Sequence, residues 1–314
     1  MRKTILRGLA VFLLFLLLLH LTVSWLGLAF FHQLQRTSTA IEQPFDYSTY
    51  YFGRAPRDHY DTVFIGSSHQ YCSVDANLLN REYGAHSILL TSSMQNLKLS
   101  FFAVLEAIEL QHPRTVVLEM MQAVNETDDA IPYSKIAFLS NMPNWSRTKA
   151  AAVKAMGDPP YEYYYPLTLL HSNWPNLIPE DFLLPPRLPA GTCYHNYIDR
   201  VCPLEKTPLL SPEEKAPMPE PSRYWMDQIL ALCRENDIRL ILYTAPWLAP
   251  EEDQAVYNGI ADYAREHDLA YYNLIPCMEE IGIDPACDFG DKEHLNLQGQ
   301  EKVTRWLAEH VLFS

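Results

Sequence analysis

The sequence predicts an α/β fold of three layers, α/β/α, around a central, mainly parallel five-stranded sheet of flavodoxin-like type, behind an N-terminal transmembrane helix. Three observations carry this. Short apolar runs recur at Val63–Ile65, Ser87–Leu90, Thr115–Leu118, Arg239–Thr244 and Leu269–Asn273. Segments of helical spacing separate them, and short apolar strands that alternate with helices imply a parallel sheet covered on both faces. Ahead of them lies an uncharged stretch rich in Leu, Phe and Val, residues 8–31.

That stretch comes first. About 24 residues rising about 1.5 Å each cross a hydrocarbon core of about 30 Å with some tilt. Arg2, Lys3 and Arg7 precede it, so the positive-inside rule places residues 1–7 in the cytoplasm and the rest outside. A cleaved signal peptide has a shorter apolar region of about 7–15 residues and a small-residue cleavage site. Here the run closes on bulky Phe30, Phe31 and His32, which favours an uncleaved, single-pass anchor in the cell membrane.

Residues 32–59 read as a polar and aromatic tether, and residues 60–314 as the α/β domain. Val63–Ile65 is the first strand. Asp75–Tyr83 is a short helix with Asp75 as N-cap. After the second strand, Gln95–Leu110 places Leu97, Phe101, Val104, Leu105 and Ile108 at helical spacing. Thr115–Leu118 is the third strand. From about 120 to 221 the rhythm breaks into a Pro-, Tyr- and Trp-rich insertion, whose aromatics suit a satellite core or a sugar-binding surface. It includes the stretch HSNWPNLIPEDF, residues 171–182, to which no role is assigned. The alternation resumes with a helix at Ser222–Asn236, capped by Ser222, then the strand Arg239–Thr244. A helix at Glu251–His267, the strand Leu269–Asn273 and a closing helix at Gln298–Leu312 complete it.

A net charge of −14 and scattered Lys and Arg exclude a polyanion-binding stripe, so nucleic acid is not an expected partner. Six cysteines suit an exported domain, and proximity pairs Cys193 with Cys202 and Cys277 with Cys287 as disulfides closing short loops. Cys233, on an apolar helical face, reads as a buried free thiol. No Cys-x-x-Cys pair appears, so neither a metal centre nor a redox cofactor is expected. Asn125-Glu-Thr and Asn144-Trp-Ser match glycosylation sequons, which matter only in a eukaryotic secretory pathway.

Two short stretches carry candidate chemistry. In DTVFIGSSHQ, residues 61–70, a buried strand stops on Gly66 and presents Ser67 and Ser68, and in such sheets ligands bind beyond the carboxyl ends of the strands. In DFGDKEHLNLQGQEK, residues 288–302, Asp291 precedes His294 by three positions, with Asn296 as cap of the last helix. A serine hydroxyl is nucleophilic only when a base removes its proton. Histidine suits that task, and an Asp oxygen on one ring nitrogen turns the other outward. His69 reads as a solvated histidine at a helix start, or as a substrate contact.

The strand–Gly-Ser-Ser turn at 63–68, together with D-x-x-H-L-N-x-x-G at 291–299, resembles the SGNH/GDSL hydrolase superfamily. The Gly-Ser-Ser variant and the single N-terminal span resemble its membrane-anchored extracytoplasmic branch of DltD- and AlgJ/AlgX-type proteins. The resemblance spans roughly residues 60–119 and 222–314. It implies Ser68 as nucleophile, His294 as base and Asp291 as its orienting carboxylate. It further implies an acylated glycan or acyl donor as substrate and a multipass membrane O-acyltransferase as partner. Three positions depart from the family. The first-block aspartate is Ser67. The second block's glycine is replaced by LTSSMQN, where Ser92 or Ser93 must offer a backbone N–H and Asn96 is a further oxyanion or substrate candidate. The third block's Gly-x-Asn-Asp is missing, and neither Glu119 nor Asn125 stands in for it. The expected function is an extracytoplasmic serine esterase or O-acyltransferase on cell-envelope polysaccharide. The alternatives are a non-catalytic envelope scaffold on the same fold and a phosphate-binding Gly-Ser-Ser turn.

Overall fold

A computed structural model of the chain describes residues 2–37, 57–142, 144–164, 171–183 and 200–313. They fall into two compact units, one of Met1–Thr39 with Val153–Arg187, the other of Ala40–Ala152 with Leu188–Ser314.

In the first unit, helix α1 (Arg2–Thr37) contains the segment Ile5–Gly27, of mean hydropathy 2.5, with its side chains exposed. Its 23 residues rise about 34 Å, so this helix is long and apolar enough to cross a membrane. Within HSNWPNLIPEDF two 3₁₀ turns form, at His171–Asn176 and Pro179–Phe182, and Phe182 packs on Trp25 at a ring separation of 5.1 Å. The unassigned stretch is thus a brace for α1.

The second unit holds the five-stranded sheet, every pair of which is parallel, in the order β2-β1-β3-β4-β5. The strands are β1 (Thr62–Gly66), β2 (Ser87–Thr91), β3 (Thr115–Glu119), β4 (Arg239–Thr244) and β5 (Ala270–Asn273). Val63, Phe64, Ile65, Leu89, Leu90 and Leu118 are wholly buried, each burial contributing about 1.5–3 kcal/mol. With helices on both faces, β1 to β4 are buried along their length apart from the first residues of β1, β3 and β4, whereas the edge strand β5 is half-buried throughout.

The chain runs from β1 to β2 in one direction and thereafter in the other. Right-handed crossovers then place the β1–β2 connection on one face of the sheet and the later connections on the opposite face. The helix packing agrees. α4 (Leu97–Gln111) packs on α8 (Glu220–Glu235), while α2 (Ser68–Ser73) and α3 (Ala76–Glu82) pack on α11 (Leu297–Leu307). The direction reverses between β1 and β3, where such sheets open a crevice at their carboxyl ends.

Residues 121–164 of the predicted insertion are largely helical, with a 3₁₀ turn at Met121–Val124, α5 (Pro132–Asn141), α6 (Arg147–Met156) and α7 (Tyr161–Tyr164). Between α8 and α11 lie α9 (Glu251–Glu266) and α10 (Met278–Ile281). Asp75 caps α3 by accepting from Asn77 and Leu78 N–H. Ser222 does not cap α8. The helix begins earlier, at Glu220 after Pro219, because proline at the first turn sacrifices no hydrogen bond, and Ser222 instead donates to Asn125 O at 3.1 Å.

The expected Cys277–Cys287 disulfide is absent, and both thiols are free. The residues between them fold into α10 and a left-handed turn at Gly282, and the Sγ of Cys277 turns back to Asn273 O at 3.5 Å. The segment is closed by Asp288, whose Oδ2 accepts from Asp284 N at 2.6 Å and from Lys302 Nζ at 2.7 Å. Cys202 is also free, and Cys193 lies outside the described residues. Cys233 is buried as expected, and burial pushes its thiol up to about 12.

Candidate active site

β1 ends at Gly66 because nothing larger fits. A Cβ there would lie 2.7 Å from Cβ of Glu119 on the neighbouring strand and 3.0 Å from Cβ of Gln70. The close approach lets the chain turn directly into α2. Ser67 is the N-cap of that helix, its Oγ accepting from His69 N–H at 3.3 Å. Ser68 is the first helical residue. The two hydroxyls therefore divide the labour, one capping the turn and the other facing the sheet rim.

The second stretch is a closed loop. Phe289 and Leu295 form an antiparallel bridge, Gly290 N donates to His294 O at 2.9 Å, and Asn296 N donates to Asp288 O at 2.9 Å. Asn296 then caps α11, accepting from Gln298 and Gly299 N–H, and its amide donates to Cys287 O at 2.7 Å. Gly299 is required because a Cβ would stand 2.5 Å from Asp288 O. Each named position of D-x-x-H-L-N-x-x-G thus has a separate physical task, and together they hold Asp291 and His294 on one short, rigid loop.

Helix α11 joins the two stretches. Gln300 Nε2 donates to Tyr71 O at 2.7 Å, and Thr304 Oγ1 accepts from Asp75 N–H at 2.9 Å. The result is a continuous relay. His294 Nε2 lies 2.8 Å from Ser68 Oγ, and His294 Nδ1 lies 3.0 and 3.1 Å from the two Asp291 oxygens. Partial burial pushes the Asp291 carboxyl up, but the His294 ring and the backbone N–H groups of Glu293 and His294 outweigh it and hold the group well below the usual carboxylate range. Asp291, in contact with Nδ1 through both oxygens, orients the ring. Ser68 and His294 are 6% and 9% exposed, so most of their hydrogen-bonding surface is dry.

The remaining predicted residues separate. Ser93 lies in the loop after β2, beside α2, its Oγ 2.9 Å from Tyr71 OH. Next to it, Met94 holds a left-handed backbone, φ 55°. That conformation is uncommon away from glycine and asparagine, and it redirects the loop's peptide groups. Asn96 caps α4 instead, its Oδ1 accepting from Leu99 N–H and its Nδ2 donating to Asp128 O, both at 3.1 Å. Its amide is therefore committed to structure. His69 is not solvated. It is 2% exposed, with its ring 5.0 Å from that of His294 and 5.4 Å from that of Trp247. Burial, reinforced by His294, keeps the His69 ring well below the usual histidine range against the opposing pull of Asp291.

Sequence reasoning discounted Glu119. It sits at the carboxyl end of β3, under the Gly66–Ser68 turn, 2% exposed. Ser67 Oγ donates to its Oε2 at 3.3 Å and Met121 N–H to its Oε1 at 2.8 Å. Burial pushes this carboxyl up to about 8, against those hydrogen bonds. A chain of contacts thus runs from His69 N–H through the Ser67 hydroxyl to the buried Glu119 carboxyl. The signal was available in one respect, since a carboxylate ends the all-apolar run TVVLE. Asn125 is elsewhere, its Nδ2 bonded to Gln122.

No family model matches this chain, and no curated protein matches its sequence.

Proposed function

We propose that this protein is a serine esterase or O-acyltransferase of the SGNH type, held at the extracytoplasmic face of the membrane by α1 and acting on acyl esters of cell-envelope glycan. The observation that carries the proposal is the relay of Ser68, His294 and Asp291, whose contacts of 2.8 to 3.1 Å match the geometry a nucleophile, base and orienting acid require.

In the first half-reaction Ser68 Oγ attacks the acyl carbonyl carbon as His294 Nε2 takes its proton. Asp291 stabilises the imidazolium. The developing oxyanion meets the backbone N–H of Ser68, which as a first-turn donor has no partner within its helix, and an N–H from the 91–96 loop. His294 returns the proton to the leaving alcohol, and the acyl group remains as an ester on Ser68. In the second half-reaction His294 deprotonates an incoming hydroxyl, which attacks that ester and releases Ser68. Water gives hydrolysis, and a sugar hydroxyl gives transfer. For transfer, a multipass membrane O-acyltransferase is the partner that would supply the acyl donor.

A fluorophosphonate probe tests the assignment on the full-length chain in detergent micelles. Covalent labelling of the wild type that disappears in Ser68→Ala is the expected result. Equal labelling of both proteins removes Ser68 from any mechanism. The second reading, a non-catalytic envelope scaffold, is favoured by the low exposure of Ser68 and by the commitment of Asn96 to its cap. It predicts no labelling of either protein.

A further inference from the structure

The ring of His69 takes no part in the proton relay, yet it is buried against it. Its Nε2 has no hydrogen-bond partner among the described residues. A buried polar nitrogen left in that state carries an unrepaid desolvation cost, which a ligand can relieve. Ligand atoms of His69, Glu293 and His294 all lie within 4.8 Å of one another. Two imidazoles and one carboxylate make up the donor set of open zinc sites, which leave a fourth position for an exchangeable group.

We propose that His69, Glu293 and His294 form a binding site for a divalent borderline cation, Zn²⁺ foremost, and that the bound ion withdraws His294 from Ser68. Tetrahedral bonds of about 2.0–2.2 Å place ligand atoms about 3.3–3.5 Å apart. The widest separation in the set therefore has to shrink by at most about 1.3–1.5 Å, and Glu293 is the exposed member of the three. His294 Nδ1 is held by Asp291, so the nitrogen offered to the ion is Nε2. A carboxylate on the far nitrogen of a metal-bound imidazole is the usual second layer of such sites, and Asp291 already supplies it. When the metal–Nε2 bond forms, the hydrogen bond from Ser68 Oγ to Nε2 breaks. The lone pair that would take the serine proton is then occupied, and no electron transfer is involved. The inhibitory consequence rests on the esterase reading, whereas the binding itself does not.

The test titrates the full-length protein in detergent with Co²⁺, whose visible spectrum reports its ligands, and then displaces it with Zn²⁺. The expected result is one tightly bound equivalent with tetrahedral nitrogen and oxygen character and no thiolate charge-transfer band. Glu293→Gln, at an exposed position where folding is not at stake, and His69→Gln should each weaken binding by at least about tenfold. Ser68→Ala should bind at least as tightly as wild type, since the competing hydrogen bond is gone. Zn²⁺ should suppress fluorophosphonate labelling of the wild type at concentrations that spare both variants. Absence of a bound ion, a thiolate band, or unchanged affinity in both variants overturns the proposal. If the wild type is not labelled even without metal, the esterase reading fails, while the Co²⁺ titration still decides the site.

Discussion

Replacing Glu119 by glutamine isolates the effect of one buried carboxyl on stability. In the folded chain burial pushes this group from an ordinary 4.5 to about 8. Between those values the folded state retains a proton that the unfolded state has lost. The contribution is fully present below about 4.5, erodes as pH rises, and is gone once pH passes through the folded value near 8. Each pH unit is worth about 1.36 kcal/mol, so the window of about 3.5 units removes on the order of 5 kcal/mol from the stability difference between acid and alkaline ends. That is a large share of the ~5–15 kcal/mol typical of a domain. Glutamine keeps the carbonyl that accepts from Met121 N–H and cannot ionise, so Glu119→Gln should lose this slope. Urea unfolding of both proteins across the window, followed by tryptophan fluorescence, measures it. Wild-type stability should fall with pH relative to the variant, and the variant should be the more stable at the alkaline end. Parallel curves would refute the claim that Glu119 is held neutral beneath the turn.

Two further substitutions probe the same corner. Gly66→Ala forces a methyl to 2.7 Å from Cβ of Glu119 and 3.0 Å from Cβ of Gln70, both close to backbone and unable to swing away. It should cost about 1–3 kcal/mol by urea unfolding and slow fluorophosphonate labelling by displacing Ser68, so an unchanged midpoint and labelling rate would argue against a crowded turn. Asp291→Asn removes the charge that fixes the His294 ring and its tautomer. By analogy with the serine-protease triad, its labelling rate should fall by up to about 10⁴. A rate within twofold of wild type would show that Asp291 does not orient the base.

Much of this architecture was legible before any coordinates. Buried parallel strands are nearly uninterrupted apolar runs, so β1 to β4 declared themselves by composition, and β4 coincides residue for residue with its expected span. Caps follow local chemistry, and Asp75 and Asn296 serve as their sequence positions indicate. Where a choice depended on distant neighbours, local reasoning failed. His69 looked solvated because nothing in its vicinity along the chain reveals Trp247 and His294 closing over it. The pairing of Cys277 with Cys287 rested on proximity along the chain, but the nine residues between them form a helical turn, and both thiols are free.

The sequence by itself determined the units of the site. Gly66-Ser67-Ser68 must turn sharply after its strand, and residues 288–299 must form a tight loop followed by a capped helix, because short-range sterics and hydrogen bonds settle both. Only the tertiary structure decided that these units meet across 226 positions of chain, through α11 docking on α2. It also placed the buried Glu119 carboxyl below the Ser68 turn, and beside His294 an imidazole whose Nε2 has no partner among the described residues. Those outcomes depend on packing and on the exclusion of water, which act between surfaces that lie far apart in the sequence.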